Sequence, residues 1–121
     1  MDTSAWIEYF LDTQNAEKIE NILEKEEIIT PSIVLIELSC KAEKEKWDFK
    51  KILIFLKLKS SILNIDEEII INCGKIYTNE RKEKSGFSMS DAIILASSIQ
   101  MKSKILTKDN HFRDKNSIML E

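Results

Sequence analysis

The chain has 121 residues, of which 43% are hydrophobic and 32% are charged, and its net charge is −3. This length fits a single domain over residues 1–121 with its own apolar core, and the single histidine disfavours a zinc site. The longest apolar runs, Ile52 to Leu56 and Ala92 to Ala96, are far shorter than the roughly 18 residues of a membrane span, and no secretory signal precedes them, so we expect a cytoplasmic protein without a membrane segment.

The first half of the chain is predicted to be mainly helical, because apolar residues recur at helical spacing and turn-forming Gly and Pro are rare. The predicted elements are helices over Ala5–Leu11 and Asn15–Glu26, a short strand at Ile28–Ile29, a third helix running to about Glu45, and a helix over Asp48–Lys59. Thr30 is predicted to cap the third helix, with Pro31 at its first position, where no amide donor is needed.

The second half alternates short strands with helices. The predicted elements are a strand at Ser61–Ile65, a helix from Asp66 to about Lys84, a helix over Asp91–Lys102, a strand at Lys104–Thr107, a helical turn at Asn110–Arg113 and a strand at Ser117–Leu120. Ser88 and Asp91 match a capping box. His111 and Phe112 are expected to pack the final turn. Short apolar strands between helices indicate parallel crossovers, so we predict an α/β fold, a three-layer α/β/α sandwich with a short, mainly parallel central sheet.

Three acidic residues fall where a ligand site is expected. Asp2 lies at the entry to the first helix, Asp109 directly follows a strand, and Asp91 begins a helix beside the same edge. Ligands of open parallel sheets bind beyond the carboxyl ends of the strands. Each acid also has a purely structural interpretation, since Asp2 and Asp109 suit helix N-caps and Asp91 closes the capping box.

Glu37 interrupts an otherwise apolar stretch from Ile33 to Leu38. A charge there is costly to bury unless something pairs with it. The local candidate is Lys41, four residues on, and a divalent ion is the alternative partner. If four carboxylates face a metal, 17 of the 21 acidic residues remain against 18 basic ones, which leaves a slightly cationic surface for a nucleic acid.

Four segments in a fixed order carry a family resemblance. They are DTSAWI at 2–7, PSIVLIEL at 31–38, SDAIILA at 90–96 and LTKDNHF at 106–112. With these segments the chain resembles the PIN-domain ribonucleases, especially the VapC-type toxins of bacterial and archaeal toxin–antitoxin pairs. The resemblance spans essentially the whole sequence and implies a PIN-like domain.

The resemblance implies a metal-dependent endoribonuclease. The family's acids, which are catalytic and bind the metal, correspond here to Asp2, Glu37, Asp91 and Asp109. Their carboxylates suit Mg²⁺ or Mn²⁺. Thr107 stands where the family often has a hydroxyl near the site. Thr3 and Ser4 are candidate hydrogen-bond donors to Asp2, with capping of the first helix as the alternative role.

The resemblance also implies partners, namely an RNA substrate, a cognate antitoxin that silences the enzyme, and a second subunit in a homodimer. The predicted helix over Asp48–Lys59 is more apolar than one core-facing stripe needs. It is either a well-buried helix or a docking face for the antitoxin or the second subunit.

The beginning of the chain departs from the family pattern. Family members usually have several apolar residues before the first acid, forming the central strand, whereas here only Met1 precedes Asp2. Either that strand is unusually short or the true start lies upstream.

Two other interpretations of the chain are a catalytically inactive PIN-like module that binds RNA or protein, and a response-regulator-like receiver, in which Lys108 would follow a late strand.

Overall fold

The computed structural model describes all 121 residues. It contains six α-helices, four short β-strands and one 3-10 turn. In chain order these are α1 (Thr3–Phe10), α2 (Ala16–Lys25), β1 (Ile29–Pro31), α3 (Ser32–Glu45), α4 (Phe49–Lys59), β2 (Ser61–Leu63), α5 (Glu67–Arg81), α6 (Met89–Met101), β3 (Ile105–Thr107), the 3-10 turn (Asn110–Phe112) and β4 (Ser117–Met119). Every predicted element is present, with bounds shifted by a few residues.

The start of α6 is the predicted capping box. The Ser88 hydroxyl accepts the backbone N–H of Asp91 at 3.0 Å, and the Asp91 carboxylate accepts the backbone N–H of Ser88 at 2.9 Å. This exchange satisfies two amide groups that the first turn of a helix leaves without partners. It also fixes the direction of the Asp91 side chain.

The prediction that Thr30 caps the third helix is wrong. Thr30 lies in β1, and α3 begins at Ser32, with Pro31 at the N-cap position and no side-chain cap. The reason is that β1 continues through Pro31, which pairs with Leu63 of β2. The buried Thr30 hydroxyl instead accepts the indole N–H of Trp6 at 3.2 Å.

The sheet is parallel, as predicted, but it is divided into two pairs of strands. β1 pairs with β2, and β3 pairs with β4. The beginning of the chain links the two pairs. The Met1 ammonium donates to the carbonyl of Ile29 at 2.8 Å, and the backbone N–H of Asp2 donates to the carbonyl of Leu106 at 3.1 Å. Two residues therefore occupy the position of the predicted central strand.

A cavity of about 480 Å³ lies beside Met1, at the amino ends of β1 and β3. Its apolar lining includes Ile28, Ile94 and Ile105. Burial lowers the pKa of the Met1 amine to about 6. The cavity lies at the opposite end of the strands from Asp109, which follows the carboxyl end of β3.

The core holds the elements that carry the acidic residues. Trp6 of α1 is fully buried, and its ring stacks on Phe10 with the ring centroids 5.8 Å apart. Leu38 of α3 and Phe112 of the 3-10 turn are fully buried in the same cluster. Truncating such a side chain to Ala typically costs about 3–5 kcal/mol. Helix α1, α3 and the 3-10 turn are thus anchored against one another.

None of the helices has the length and apolar content that crossing a membrane requires.

Candidate metal centre

Asp2 is the most deeply buried of the four predicted site residues, with 3% of its surface exposed. Its Oδ1 caps α1 by accepting the backbone N–H of Ala5 at 3.0 Å, and it accepts the Ser4 hydroxyl at 2.8 Å. Its Oδ2 accepts the hydroxyl of Thr107. Burial raises the pKa of Asp2, and the bonds from Thr107, Ala5 and Ser4 oppose that rise. The carboxylate is held in one orientation by both helix and strand.

Glu37 lies on α3 and is half-buried. Its Oε1 accepts the hydroxyl of Thr3 at 2.6 Å. Burial raises the pKa of Glu37, the Thr3 hydrogen bond opposes this, and the negative charges of Asp91, Asp2 and Asp109 raise it further. The other three acids therefore all lie near enough to Glu37 to act on its charge. The alternative pairing with Lys41 is not formed, because Lys41 binds Glu45 instead, at 3.2 Å.

Asp91 and Asp109 lie close together on the opposite wall. Asp109 caps the 3-10 turn, since its Oδ1 accepts the backbone N–H of His111 at 2.9 Å. The His111 ring projects between the two acids, with Nδ1 at 2.9 Å from Oδ2 of Asp91 and 3.4 Å from Oδ1 of Asp109. One ligand atom from each of these three residues lies within 4.8 Å of the others. Asp2 and Glu37 lie outside this tight group.

The predicted capping roles, two N-caps and one capping-box partner, coexist with the grouping of these acids around Glu37. Asp2, Asp91 and Asp109 each accept a backbone N–H at the start of a helical element, and all three also influence Glu37. The structural and functional interpretations of these residues are therefore not alternatives. A capped helix start aims its acidic side chain, and the fold brings the three starts together.

Two hydroxyl groups join the acids into one frame. Thr107 is fully buried, and its hydroxyl donates to Asp2 while accepting the backbone N–H of Asp109 at 2.8 Å. The Ser4 hydroxyl donates to Asp2 and accepts the backbone N–H of Lys108 at 2.9 Å. The loop after β3 is thereby tied to the start of α1. The Thr3 hydroxyl was expected to donate to Asp2, but it donates to Glu37 instead.

Sequence reasoning missed two contacts near this frame, one of Lys108 and one of His111. Lys108 extends from the same loop to Glu8 of α1, with Nζ 2.9 Å from Oε1. Hydrogen bonds from Lys108, Thr13 and Asn15 lower the pKa of Glu8 to about 2. His111 was expected to pack the final turn; its ring lies beside Phe87, with the ring centroids 6.0 Å apart, and it also faces two acids. Its position two residues after a turn-capping Asp is the signal in the sequence that points to this contact.

The donor set fits a hard divalent cation. Carboxylate oxygens are preferred ligands of Mg²⁺ and Mn²⁺, and the pocket concentrates four of them where their charges oppose one another. A cation would remove that opposition. Asp91 and Asp109 would hold the ion, with the buried Asp2 and the half-buried Glu37 near them.

The fold and the acidic residues together define a small α/β domain with a cluster of carboxylates near the carboxyl ends of β1 and β3. The model of the PIN domain family matches residues 1–117, and the chain belongs to this family. The resemblance in the four sequence segments is thereby confirmed.

A solved structure described as "Toxin-antitoxin complex from Klebsiella pneumoniae" has a similar fold, with a TM-score of 0.70 and 23% sequence identity. The similarity covers 92% of this chain and 87% of that chain. Among curated proteins, none matches this sequence.

Proposed function

We propose that this protein is an Mg²⁺- or Mn²⁺-dependent endoribonuclease and the toxin of a type II toxin–antitoxin pair. The observation that carries the proposal is the close approach of Asp91 and Asp109, which each offer a ligand atom within 4.8 Å of the other, beside a half-buried Glu37 that their charges reach. Membership of the PIN domain family supports the nuclease activity. The toxin–antitoxin complex with the same fold supports the biological role.

The chain's own residues would position the reactants. Asp91 and Asp109 bind the cation, and the Thr107 and Ser4 hydroxyls keep Asp2 in place beside them. When bound, the cation polarises a phosphoryl oxygen of RNA and acidifies the attacking water. Glu37 accepts the Thr3 hydroxyl and orients water at the edge of the pocket. No side chain is attached covalently, so we expect products with a 5′-phosphate and a 3′-hydroxyl.

The proposed partners are an antitoxin and a second copy of the chain. Helix α4 buries Leu56 completely but leaves Leu58 79% exposed and Ile54 60% exposed. Exposed apolar side chains in a row on one helix are typical of a protein interface. We propose this face of α4 as a contact surface of a homodimer in the cytoplasm, with the antitoxin covering the acidic pocket.

The Asp91→Asn variant tests the proposal. The amide keeps the volume and can still accept the Ser88 N–H, so the cap of α6 persists, while the charge in the pocket is lost. We expect Mg²⁺-dependent cleavage of labelled RNA to fall by roughly 10²–10³-fold. Asp48→Asn is the matched control, because Asp48 caps α4 and lies outside the pocket.

Three measurements accompany the assay. Far-UV circular dichroism checks that both variants fold, a chelator checks the need for metal, and end-labelling identifies the product ends. If Asp91→Asn cuts RNA as fast as the parent, the proposed site is wrong. If the parent cuts no RNA with either metal, the chain is a non-catalytic PIN-like module.

A further inference from the structure

The ring of His111 packs beside Phe87, and its Nδ1 faces two acids. Its Nδ1 lies 2.9 Å from an oxygen of Asp91 and 3.4 Å from an oxygen of Asp109. Adjacent ligands of an octahedral ion with bonds of about 2.1 Å are separated by about 3 Å. The two distances from Nδ1 therefore match neighbouring positions around one ion, and one ligand atom of each of the three residues lies within 4.8 Å of the others.

The surrounding backbone holds the imidazole ring in this position. The backbone N–H of His111 donates to Asp109 at 2.9 Å, and its carbonyl accepts Nζ of Lys84 at 3.0 Å. Gly86 lies behind the ring, where an added Cβ would come within 3.1 Å of Nε2 of His111. The glycine thus leaves room for the ring on the side away from the acids, and Nδ1 remains directed into the pocket.

We infer that His111 is a nitrogen ligand of the divalent ion and makes the site prefer Mn²⁺ over Mg²⁺. The inference rests on the proposed function, because it concerns the ion that the acids hold. Imidazole binds first-row transition ions much better than it binds Mg²⁺, whereas carboxylates serve both. A neutral imidazole adds no charge, so it changes the selectivity of the site more than its attraction for cations in general. As a ligand, His111 would present the lone pair of Nδ1 to the ion and would carry its proton on Nε2.

The chain offers an unusually clean test because His111 is its only histidine. The protein is prepared without a histidine tag and loaded with Mn²⁺, and pulsed electron paramagnetic resonance is used to detect nitrogen bound to the ion. We expect a ¹⁴N coupling of a directly bound imidazole in the parent. We expect no such coupling in His111→Asn, whose folding is checked by its melting temperature.

Competition titrations of Mg²⁺ against Mn²⁺ give a second readout. The preference for Mn²⁺ should fall at least about tenfold in His111→Asn, while the affinity for Mg²⁺ changes little. If His111 is only a positive partner of the two acids, its removal strengthens the binding of both ions, and the inference is overturned. Bound Mn²⁺ without a ¹⁴N coupling in the parent also overturns it.

The outcomes separate this inference from the proposed function. A parent that binds neither ion refutes the metal site itself. A parent that binds Mn²⁺ and cuts RNA without a nitrogen coupling retains the proposed function and loses only the role of His111. The spectrum of the parent requires no variant, so a poorly folding His111→Asn leaves the test intact.

Discussion

Replacing Thr107 with valine would remove one hydroxyl from the most buried part of the site while leaving the side-chain volume almost unchanged. The hydroxyl donates to Asp2 and accepts the backbone N–H of Asp109 at 2.8 Å. Thr107 is fully buried, and Asp2 has only 3% of its surface exposed, so water cannot easily replace these bonds. A buried polar group left without a partner costs about 1–3 kcal/mol.

Because the Asp109 loop is partly accessible, we expect a total loss of about 2–3 kcal/mol for Thr107→Val. For a domain of this size, that loss lowers the melting temperature by roughly 6–12 °C. The affinity for Mg²⁺ should fall as well, because the Thr107 bond is the strongest of those that oppose the raised pKa of Asp2. A carboxyl that holds its proton more tightly binds a cation less readily.

Urea unfolding and metal titration of Thr107→Val and Thr107→Ser decide the matter. Serine keeps the hydroxyl and loses one methyl group, so it should be destabilised by about 1 kcal/mol and retain its metal affinity. The reasoning is refuted if the valine variant is as stable as the serine variant and binds Mg²⁺ equally well.

Three further predictions follow from the same structure. Millimolar Mg²⁺ or Mn²⁺ should raise the melting temperature, because a cation offsets the repulsion that Glu37 experiences, and an unchanged melting temperature would count against the cluster. The pKa of Glu8 lies near 2 instead of 4.5, so its stabilising effect is complete above about pH 4.5 and disappears as the pH falls towards 2. Glu8→Gln should therefore destabilise the protein at pH 6 and much less at pH 2.5, as measured by urea unfolding at both pH values. Leu58→Asp should convert the proposed homodimer into a monomer in sedimentation velocity, and a parent that is already monomeric at high concentration would remove the dimer.

Features that depend on neighbouring residues could be predicted from the sequence. The capping box of α6 lies within four residues, from Ser88 to Asp91, so its chemistry is visible without knowledge of the fold. The cap of α3 could not be placed in the same way. Thr30 has the chemistry of a cap, but strand pairing between Pro31 and Leu63 extends β1 and moves the start of the helix.

The same distinction applies to the site. The four acidic residues of the site could be selected from motifs, but their hydrogen-bond partners come from distant segments. Thr3 reaches Glu37 across 34 positions, and His111 reaches Asp91 across 20. Neither contact follows from a periodic pattern, and the only local signal is the position of His111 two residues after Asp109. The charge on Glu37 suggested Lys41 because local pairs are the only ones that sequence spacing can reveal.

The division of the sheet into two pairs of strands bears on the rigidity of the acidic site. Glu37 lies on α3, which follows β1, and Asp109 follows β3, while Met1 and Asp2 bond to one strand of each pair. An ion bound by residues that follow β1 and β3 would link the two pairs of strands. Its arrival should then slow the exchange of the Asp2 amide with deuterium, even though that amide bonds to Leu106 rather than to the ion. Ion binding would then both prepare the site for catalysis and make the whole molecule more rigid.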